Sequence, residues 1–519
     1  MYITMDTQRP WMDGLVAAFG GSAASARQLF AQGRLDEACL AIDTEIASTR
    51  TPTADALMLR AQILLAMSSF RPAIAAFARV IALAPLAGSP EFGLAIALGE
   101  SGDSYAAVLA ARRALAKGMD TPGVRFVLGR ALFDAGYVEE SESELRVVVD
   151  RAPSRVDAHT SLADVVWMRT GDIAAATAAL DDSLHQSPEF SALRRVKSRL
   201  LETAGLAELA YEELVMGLGT DRDNVDLHID AAQASVKWDP ALALAHAEQA
   251  IRLAPHHPNA LGTHAHVLLA AGFADHALAV ADRLIARNPH DGHATAVRAT
   301  AMRMMGNPAY AQMYDYAHHV QAGMLDVPNG WNTLEHYLKD LAVALHARHD
   351  HLRAHPVAQT LRHGTQTQLR FEGAHEAAIG AFASAINGPI RRYIDSIRAD
   401  DPTLKRPKGH GFSIRDAWSV RLRDGGYHFN HYHGKGWLSS ACYIELPASV
   451  GSPGGEGWLQ FGEPMMRTSP ALPAEYFVKP EPGLLVLFPS WMWHGTVPFA
   501  ARENEHRLSV AFDVVPAAR

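Results

Sequence analysis

The sequence predicts a multidomain α + β chain, with an N-terminal α-solenoid of helix pairs followed by a C-terminal β jelly-roll or barrel. Three observations predict it. Small residues recur with a period of 34 through the first half of the chain, and such self-similarity is the mark of stacked repeats. The phase then lapses while amphipathic helical patterning persists. Beyond Pro407, short alternating runs (WSVRL, LSSACYIEL, GWLQFG, LLVLF, RLSVAFDVV) are separated by Gly/Pro-rich turns, the pattern of an antiparallel jelly-roll. At 519 residues the chain exceeds the ~100 to 200 residues of one domain.

In order along the chain, residues 1–18 form an N-terminal segment, and the repeats occupy 19–291. Ala61, Ala95, Gly129 and Ala163 are 34 apart, as are Ala73, Ala107, Ser141 and Ala175. Ala231 and Ala265, Ala243 and Ala277, Ala247 and Ala281 continue in a second block, with Pro85, Pro153, Pro255 and Pro289 closing units. Small side chains let two helices approach closely, and proline ends each unit because it cannot continue the hydrogen-bond ladder. This resembles the tetratricopeptide repeat, with about eight repeats. Residues 292–400 read as a helical cap or connector, interrupted by a polar loop at 355–369. Residues 401–519 form the β domain.

Composition excludes several classes. Lys plus Arg is 47 against 56 Asp plus Glu, a net charge of -9, and no basic run suggests nucleic acid. Cys39 and Cys442 are distant and lack CxxC spacing, so neither a disulfide framework nor a thiolate zinc site is indicated,. The opening MYITMDTQRPWMDGL has no basic n-region or apolar h-region, and no apolar run reaches the ~18 residues of a membrane span,. A soluble cytoplasmic protein is expected, with no membrane partner.

The chemistry concentrates in YHFNHYHGKGWLSSACYIEL. His431 and His433 are two apart, so in an extended segment both imidazoles face one side and reach one ion,. A distant strand ends in His494, and RLSVAFDVV carries Arg507 and Ser509. Two ligands two apart and a third from elsewhere suit a facial set with open positions, as non-heme iron centres use.

These segments, together with HPVAQTLRHGTQT, GWLQFGEP and LFPSWMWHGTVPF, resemble a bacterial family of 2-oxoglutarate/Fe(II)-dependent oxygenases that often carry N-terminal tetratricopeptide repeats. The resemblance covers about 310–516 and implies a double-stranded β-helix, with Fe(II), 2-oxoglutarate and O2 as cofactor, cosubstrate and oxidant. It implies His431 and His494 as metal ligands, Arg507 as the cation that pairs with the cosubstrate's far carboxylate, and Ser509 as its RxS companion. Tyr443 is a further cosubstrate contact or a core residue. The wider superfamily has HxD where this chain reads His431-Tyr432-His433. Either His433 is the third ligand, or water takes that place and His433 meets substrate. Three neutral imidazoles leave the ion more electropositive than a carboxylate-bearing set.

Substrate contacts are expected from Arg362, Thr365, Gln366 and Thr367 in the polar loop and from Trp437. His346, His349 and His351 read as a solvated helix face, His428 as lying on the strand face opposite His431, and Arg421 as a surface residue. The function expected is a dioxygenase, a hydroxylase of a protein or peptide recruited by the concave face of the array. The alternative is a repeat scaffold whose oxygenase-like barrel is inactive, which the missing carboxylate supports. A zinc hydrolase is disfavoured because no nearby Glu or Asp stands out as a base.

Overall fold

A computed structural model describes residues 24–399, 401, 403–404, 411–451 and 454–517. The expected segment 1–18, the first residues of the array and the boundary at Pro407 lie outside the described residues. The chain divides into two compact bodies, one up to Val165 and one from Val166 onward.

The first body is a run of helices: α1 (Ala24–Ala31), α2 (Leu35–Ser48), α3 (Ala54–Ala66), α4 (Phe70–Leu83), α5 (Ser89–Ser101), α6 (Ser104–Ala116), α7 (Pro122–Asp134), α8 (Val138–Arg151) and α9 (Val156–Thr170), whose end crosses the division. Thr121 caps α7 by accepting the Val124 N–H, and Pro122 fills the first helical position, where no N–H is needed,. The small-residue positions are the helix crossings: Ala61, Ala73, Ala95 and Ala107 are fully buried. At Gly129 a Cβ would lie 2.9 Å from Leu145 Cγ. Ser141 takes the alanine place in its repeat because its hydroxyl donates to the Gly129 carbonyl at 2.7 Å, leaving no polar group unsatisfied at the crossing.

The second body continues with α10 (Ile173–Gln186), α11 (Ser191–Thr203), α12 (Ala207–Thr220), α13 (Val225–Ser235), α14 (Pro240–Leu253), α15 (Pro258–Ala270), α16 (Ala274–Arg287) and α17 (Gly292–Met304). Thus α1–α16 make eight helix pairs among the described residues, and Pro85, Pro153, Pro255 and Pro289 each stand two residues past a helix end. Ala231, Ala243, Ala247, Ala265, Ala277 and Ala281 are fully buried. Ala175 is only half-buried.

After α18 (Tyr310–Met313) and α19 (Tyr316–His319) the chain enters sheet. The strands are β1 (Gln321–Met324), β2 (Leu361–Gln368), β3 (Phe412–His428), β4 (Leu438–Glu445), β5 (Leu459–Phe461), β6 (Tyr476–Val478), β7 (Leu484–Pro489), β8 (His494–Thr496) and β9 (Arg507–Pro516). They form a six-stranded antiparallel sheet, order β1-β7-β4-β9-β3-β2, and a three-stranded sheet, order β6-β5-β8. Helices α20 (Leu334–His349) and α21 (Ala377–Ser396) cover one face of the larger sheet. There Leu485, Leu487, Val510, Phe512 and Val514 bury against Leu341, Phe382 and Ile386. Alternation sends Tyr443, Val486 and Phe488 to the other face, toward the smaller sheet,.

Two corrections concern this region. The stretch expected as a polar loop, 355–369, contains β2, paired with β3 through Thr365↔Arg421 and Thr367↔Ser419. A buried Thr365 is tolerated in the strand because its hydroxyl meets His349. Gly364 permits the close approach, since a Cβ there would lie 2.7 Å from the Arg421 carbonyl oxygen. His349, read as solvent-facing, is fully buried, its ring nitrogens meeting Thr365 Oγ1 at 2.8 Å and Ser419 Oγ at 2.9 Å. The β2–β3 face packed on α20 supplies those hydroxyls, and burial holds the imidazole well below its usual pKa. Cys39 and Cys442 are free. No described helix is long and apolar enough to cross a membrane.

Candidate metal centre

The three predicted histidines converge. His431 follows β3, and its backbone pairs with His494 at the start of β8, N–H to carbonyl in both directions at 2.8 and 2.9 Å. The His433 N–H donates to the Ser490 carbonyl at 2.7 Å. All three side chains are buried, and their candidate ligand nitrogens lie within 4.8 Å of one another. Each ring has its Nδ1 beside an acceptor: His431 at the Phe429 carbonyl, 2.7 Å; His494 at the Met492 carbonyl, 2.9 Å; His433 at Asp513 Oδ1, 2.6 Å. An Nδ1–H donated in this way leaves the lone pair on Nε2, so the partners set the tautomer that a ligand needs. Burial pushes His494 down to about 3 and holds His431 well below its usual range, with neighbouring imidazoles adding to the effect. All three donor atoms suit a borderline divalent ion.

Asp513 was missed from the sequence. It is buried in β9 and also accepts the Ser439 hydroxyl at 2.7 Å. The signal was present: an aspartate in the apolar run RLSVAFDVV, in phase with Arg507 and Ser509 and therefore on their face,.

That face also carries Arg507. Arg507 is 2% exposed, donates from Nε to the Gly457 carbonyl at 3.2 Å, and holds its guanidinium carbon 5.0 Å from the Tyr443 ring centre. Among the described residues it has no carboxylate partner. Burial lowers its pKa, opposed by Tyr443. Ser509 is buried and stands opposite Tyr443 in register. The Tyr443 hydroxyl is buried without a hydrogen-bond partner, and burial pushes its pKa up to about 12. A buried cation with no counter-charge and an orphaned hydroxyl fit a carboxylate ligand. His428, expected on the opposite face, instead lies near-parallel to His431 with ring centres 5.8 Å apart. The chain leaves β3 at this residue, so strict alternation fails, and Thr360 Oγ1 meets its Nδ1 at 3.0 Å.

The predicted substrate residues scatter. Gln366 pairs with Val420 and Thr365 with Arg421, so by alternation Gln366 faces the side of Trp418, whose ring is 5.6 Å from His433, while Thr365 and Thr367 face α20,. Thr365 is engaged by His349. Trp437 packs against the helix-facing core. Arg421 pairs with Asp350 on that same side. Arg362 lies over the Phe429 ring, 4.3 Å from its centre.

Array residues also reach the centre. The Tyr432 hydroxyl bridges His266 of α15, at 3.0 Å, and His293 of α17. Trp493 donates from Nε1 to Thr300 Oγ1 at 2.8 Å, and its backbone N–H donates to the Tyr314 hydroxyl at 3.0 Å.

Residues 416–513 match the model of a family described as "Putative 2OG-Fe(II) oxygenase", and residues 92–156 match a tetratricopeptide repeat model. The chain thus carries a stretch matched by a tetratricopeptide repeat model followed by one matched by this oxygenase model. The oxygenase match takes in His431, His433, His494, Tyr443, Arg507, Ser509 and Asp513. Solved structures similar to the chain include the Cut9–Hcn1 hetero-tetramer of APC/C, at 16% identity and TM-score 0.32. That match covers 47% of this chain and 48% of the other, so the chain spans about half the length of that relative. A thermophilic TPR protein of Thermus thermophilus matches at 21% identity, over 35% of this chain and 100% of its own, TM-score 0.28. A tetratricopeptide repeat protein of Parabacteroides merdae matches at 10% identity, over 50% and 99%, TM-score 0.36. No curated protein matches.

Proposed function

We propose that the chain is an Fe(II)- and 2-oxoglutarate-dependent dioxygenase, a hydroxylase of a protein or peptide recruited by its repeat array. The observation that supports this most strongly is the pairing of three buried imidazoles converging on one point with a buried arginine that lacks a carboxylate partner among the described residues. His431, His433 and His494 would hold the ion, with Asp513 behind His433. Arg507 and the Tyr443 and Ser509 hydroxyls would bind the far carboxylate of 2-oxoglutarate, a planar fork meeting a planar anion in a dry pocket. When bound, iron(II) with 2-oxoglutarate supplies oxidation of a C–H bond by O2, with R–H, O2 and 2-oxoglutarate giving R–OH, succinate and CO2. The protein's own work is to orient both ligands and exclude water. Tetratricopeptide repeats commonly bind polypeptides, which supports a macromolecular substrate.

The test is anaerobic titration of the full chain with Fe(II) and 2-oxoglutarate. A visible charge-transfer band is expected, absent in His494→Ala. Failure of 2-oxoglutarate to bind in a metal-dependent way would leave the scaffold reading.

A further inference from the structure

Close to the candidate metal centre, the array and the β region each bring a cation to the Phe429 ring. Phe429, two residues before His431, holds the His431 ring through its carbonyl. The Lys237 amine lies 4.6 Å from the centre of the Phe429 ring, and the Arg362 guanidinium carbon 4.3 Å from it. Lys237 follows α13 in the array, whereas Arg362 belongs to β2, so two separate parts of the chain deliver cations to one aromatic ring. Neither makes an ion pair among the described residues. One Arg362 nitrogen is spent on the Leu361 and Gln359 carbonyls and His355 Nε2. Its other two have no protein hydrogen bond among the described residues. Lys237 is solvent-exposed, yet surrounding protein lowers its pKa, with Glu202 opposing; burial lowers that of Arg362 likewise.

Glu202 of α11 is the carboxyl within electrostatic reach of both cations. Burial, then the charge of Asp230, pushes it up to about 7, against the attraction of Lys237 and Arg199. Asp230 is itself bound by Arg195 at 2.6 Å. Glu202 therefore cancels the two cations only in part near neutral pH. Two like charges against one ring repel each other, and cation–π contact at a partly exposed site is weak compensation.

We propose that Arg362 and Lys237 form a subsite for an acidic side chain of the polypeptide substrate. The proposal rests on the oxygenase reading and names the substrate class for it. A carboxylate here meets a planar fork and an ammonium with an aromatic floor, the arrangement that strengthens charge-assisted hydrogen bonds. Non-specific attraction does not explain such binding, because the chain carries a net charge of -9 and repels acidic peptides elsewhere.

The test uses the full chain loaded with Mn(II) and 2-oxoglutarate without O2. Binding of short fluorescent peptides is measured by anisotropy, pairing Asp/Glu-containing sequences with their Asn/Gln counterparts. The acidic members should bind about tenfold more tightly at low salt, the scale of one charge-assisted hydrogen bond. Arg362→Gln and Lys237→Gln should each erase most of that preference. Their 2-oxoglutarate affinity and melting temperature should stay unchanged. Equal binding of acidic and amide peptides, or a preference that survives in the double variant, overturns the subsite while leaving the oxygenase reading intact. An acidic preference that depends on both residues, found in protein that binds no 2-oxoglutarate, supports the subsite as a peptide site and overturns the oxygenase reading.

Discussion

Replacing Asp513 with Asn changes one charge at the centre and little else. Asn has the same shape and retains an oxygen that can accept from His433 Nδ1, at 2.6 Å in the native chain, and from Ser439 Oγ, at 2.7 Å. What disappears is the carboxylate behind a ligand set made only of imidazoles. Loss of such an outer partner costs 10- to 100-fold in metal affinity, about 1.4 to 2.7 kcal/mol. Asp513→Asn should fall at the lower end and Asp513→Ala, which also removes the orienting bond, at the upper. Isothermal titration of metal-free protein with Mn(II) measures both, and melting in EDTA separates metal affinity from folding. A double-mutant cycle with His433→Ala then decides between the two ligand sets. If His433 is a ligand, the Asp513→Asn effect vanishes once His433 is gone. An Asp513→Asn protein that binds Mn(II) within twofold of the parent would refute the idea that this carboxylate replaces the missing HxD charge from one shell further out.

Other expectations follow from the same geometry. Arg507→Ala should raise the 2-oxoglutarate concentration needed for half-saturation by at least tenfold, since a buried charge-assisted contact contributes about 1.5 to 3 kcal/mol, while leaving Mn(II) affinity unaltered; equal 2-oxoglutarate binding would remove Arg507 from the anchor. Tyr432→Phe should lower stability by about 1 to 3 kcal/mol, because it strands the buried His266 and His293 nitrogens,, as urea denaturation would show; a smaller loss means water replaces the hydroxyl. Metal-free protein should lose stability on acidification. The buried His494 titrates near 3 when folded and near 6.5 when unfolded, so the unfolded chain binds more protons as pH falls below 6.5. By pH 5 the loss is about 2 kcal/mol for this residue alone. Melting in EDTA at pH 7.5 and 5 checks the sign, and equal midpoints would contradict it. In the array, Gly93→Ala should destabilise by about 1 to 3 kcal/mol although alanine is the better helix former, since its Cβ would lie 2.3 Å from the Phe77 ring; an unchanged melting temperature would show that Phe77 can move aside.

The array was legible because its constraint is local and periodic: a helix crossing needs a small residue wherever it recurs, and Ala61, Ala95 and Gly129 state the period outright. The convergence of the histidines was legible because His431 and His433 stand two apart in the extended segment beyond β3 and face one side. The pattern failed where tertiary surroundings decide. Strand β2 contains Arg362, Gly364, Thr365 and Gln366, polar or flexible residues that look like a loop until α20 supplies His349 to bond Thr365 and Ser419. His349 fails for the complementary reason, because nothing in LHARHDH distinguishes the one histidine whose partners lie 16 and 70 residues away. Asp513 was overlooked for a different reason: its strand pattern was visible, but its partner at His433 is brought to it only by the sheet.

The alternation that points His431 and His433 at one ion necessarily points Tyr432 the other way, and there it meets α15 and α17 rather than solvent,. The same holds one residue before the third histidine, where Trp493 is fixed by Thr300 of α17 and by Tyr314. Both histidine-bearing segments thus have one face at the candidate metal centre and the other against the end of the repeat array. A ligand set must be held within about half an ångström to be competent, and here the repeats supply part of that support. Because burial holds His266 well below its usual pKa, this backing is a neutral hydrogen-bond network and not a salt-sensitive ion pair. Any displacement of α15 relative to α17 therefore alters the position of Tyr432 directly, which places the end of the array within the mechanical framework of the candidate centre.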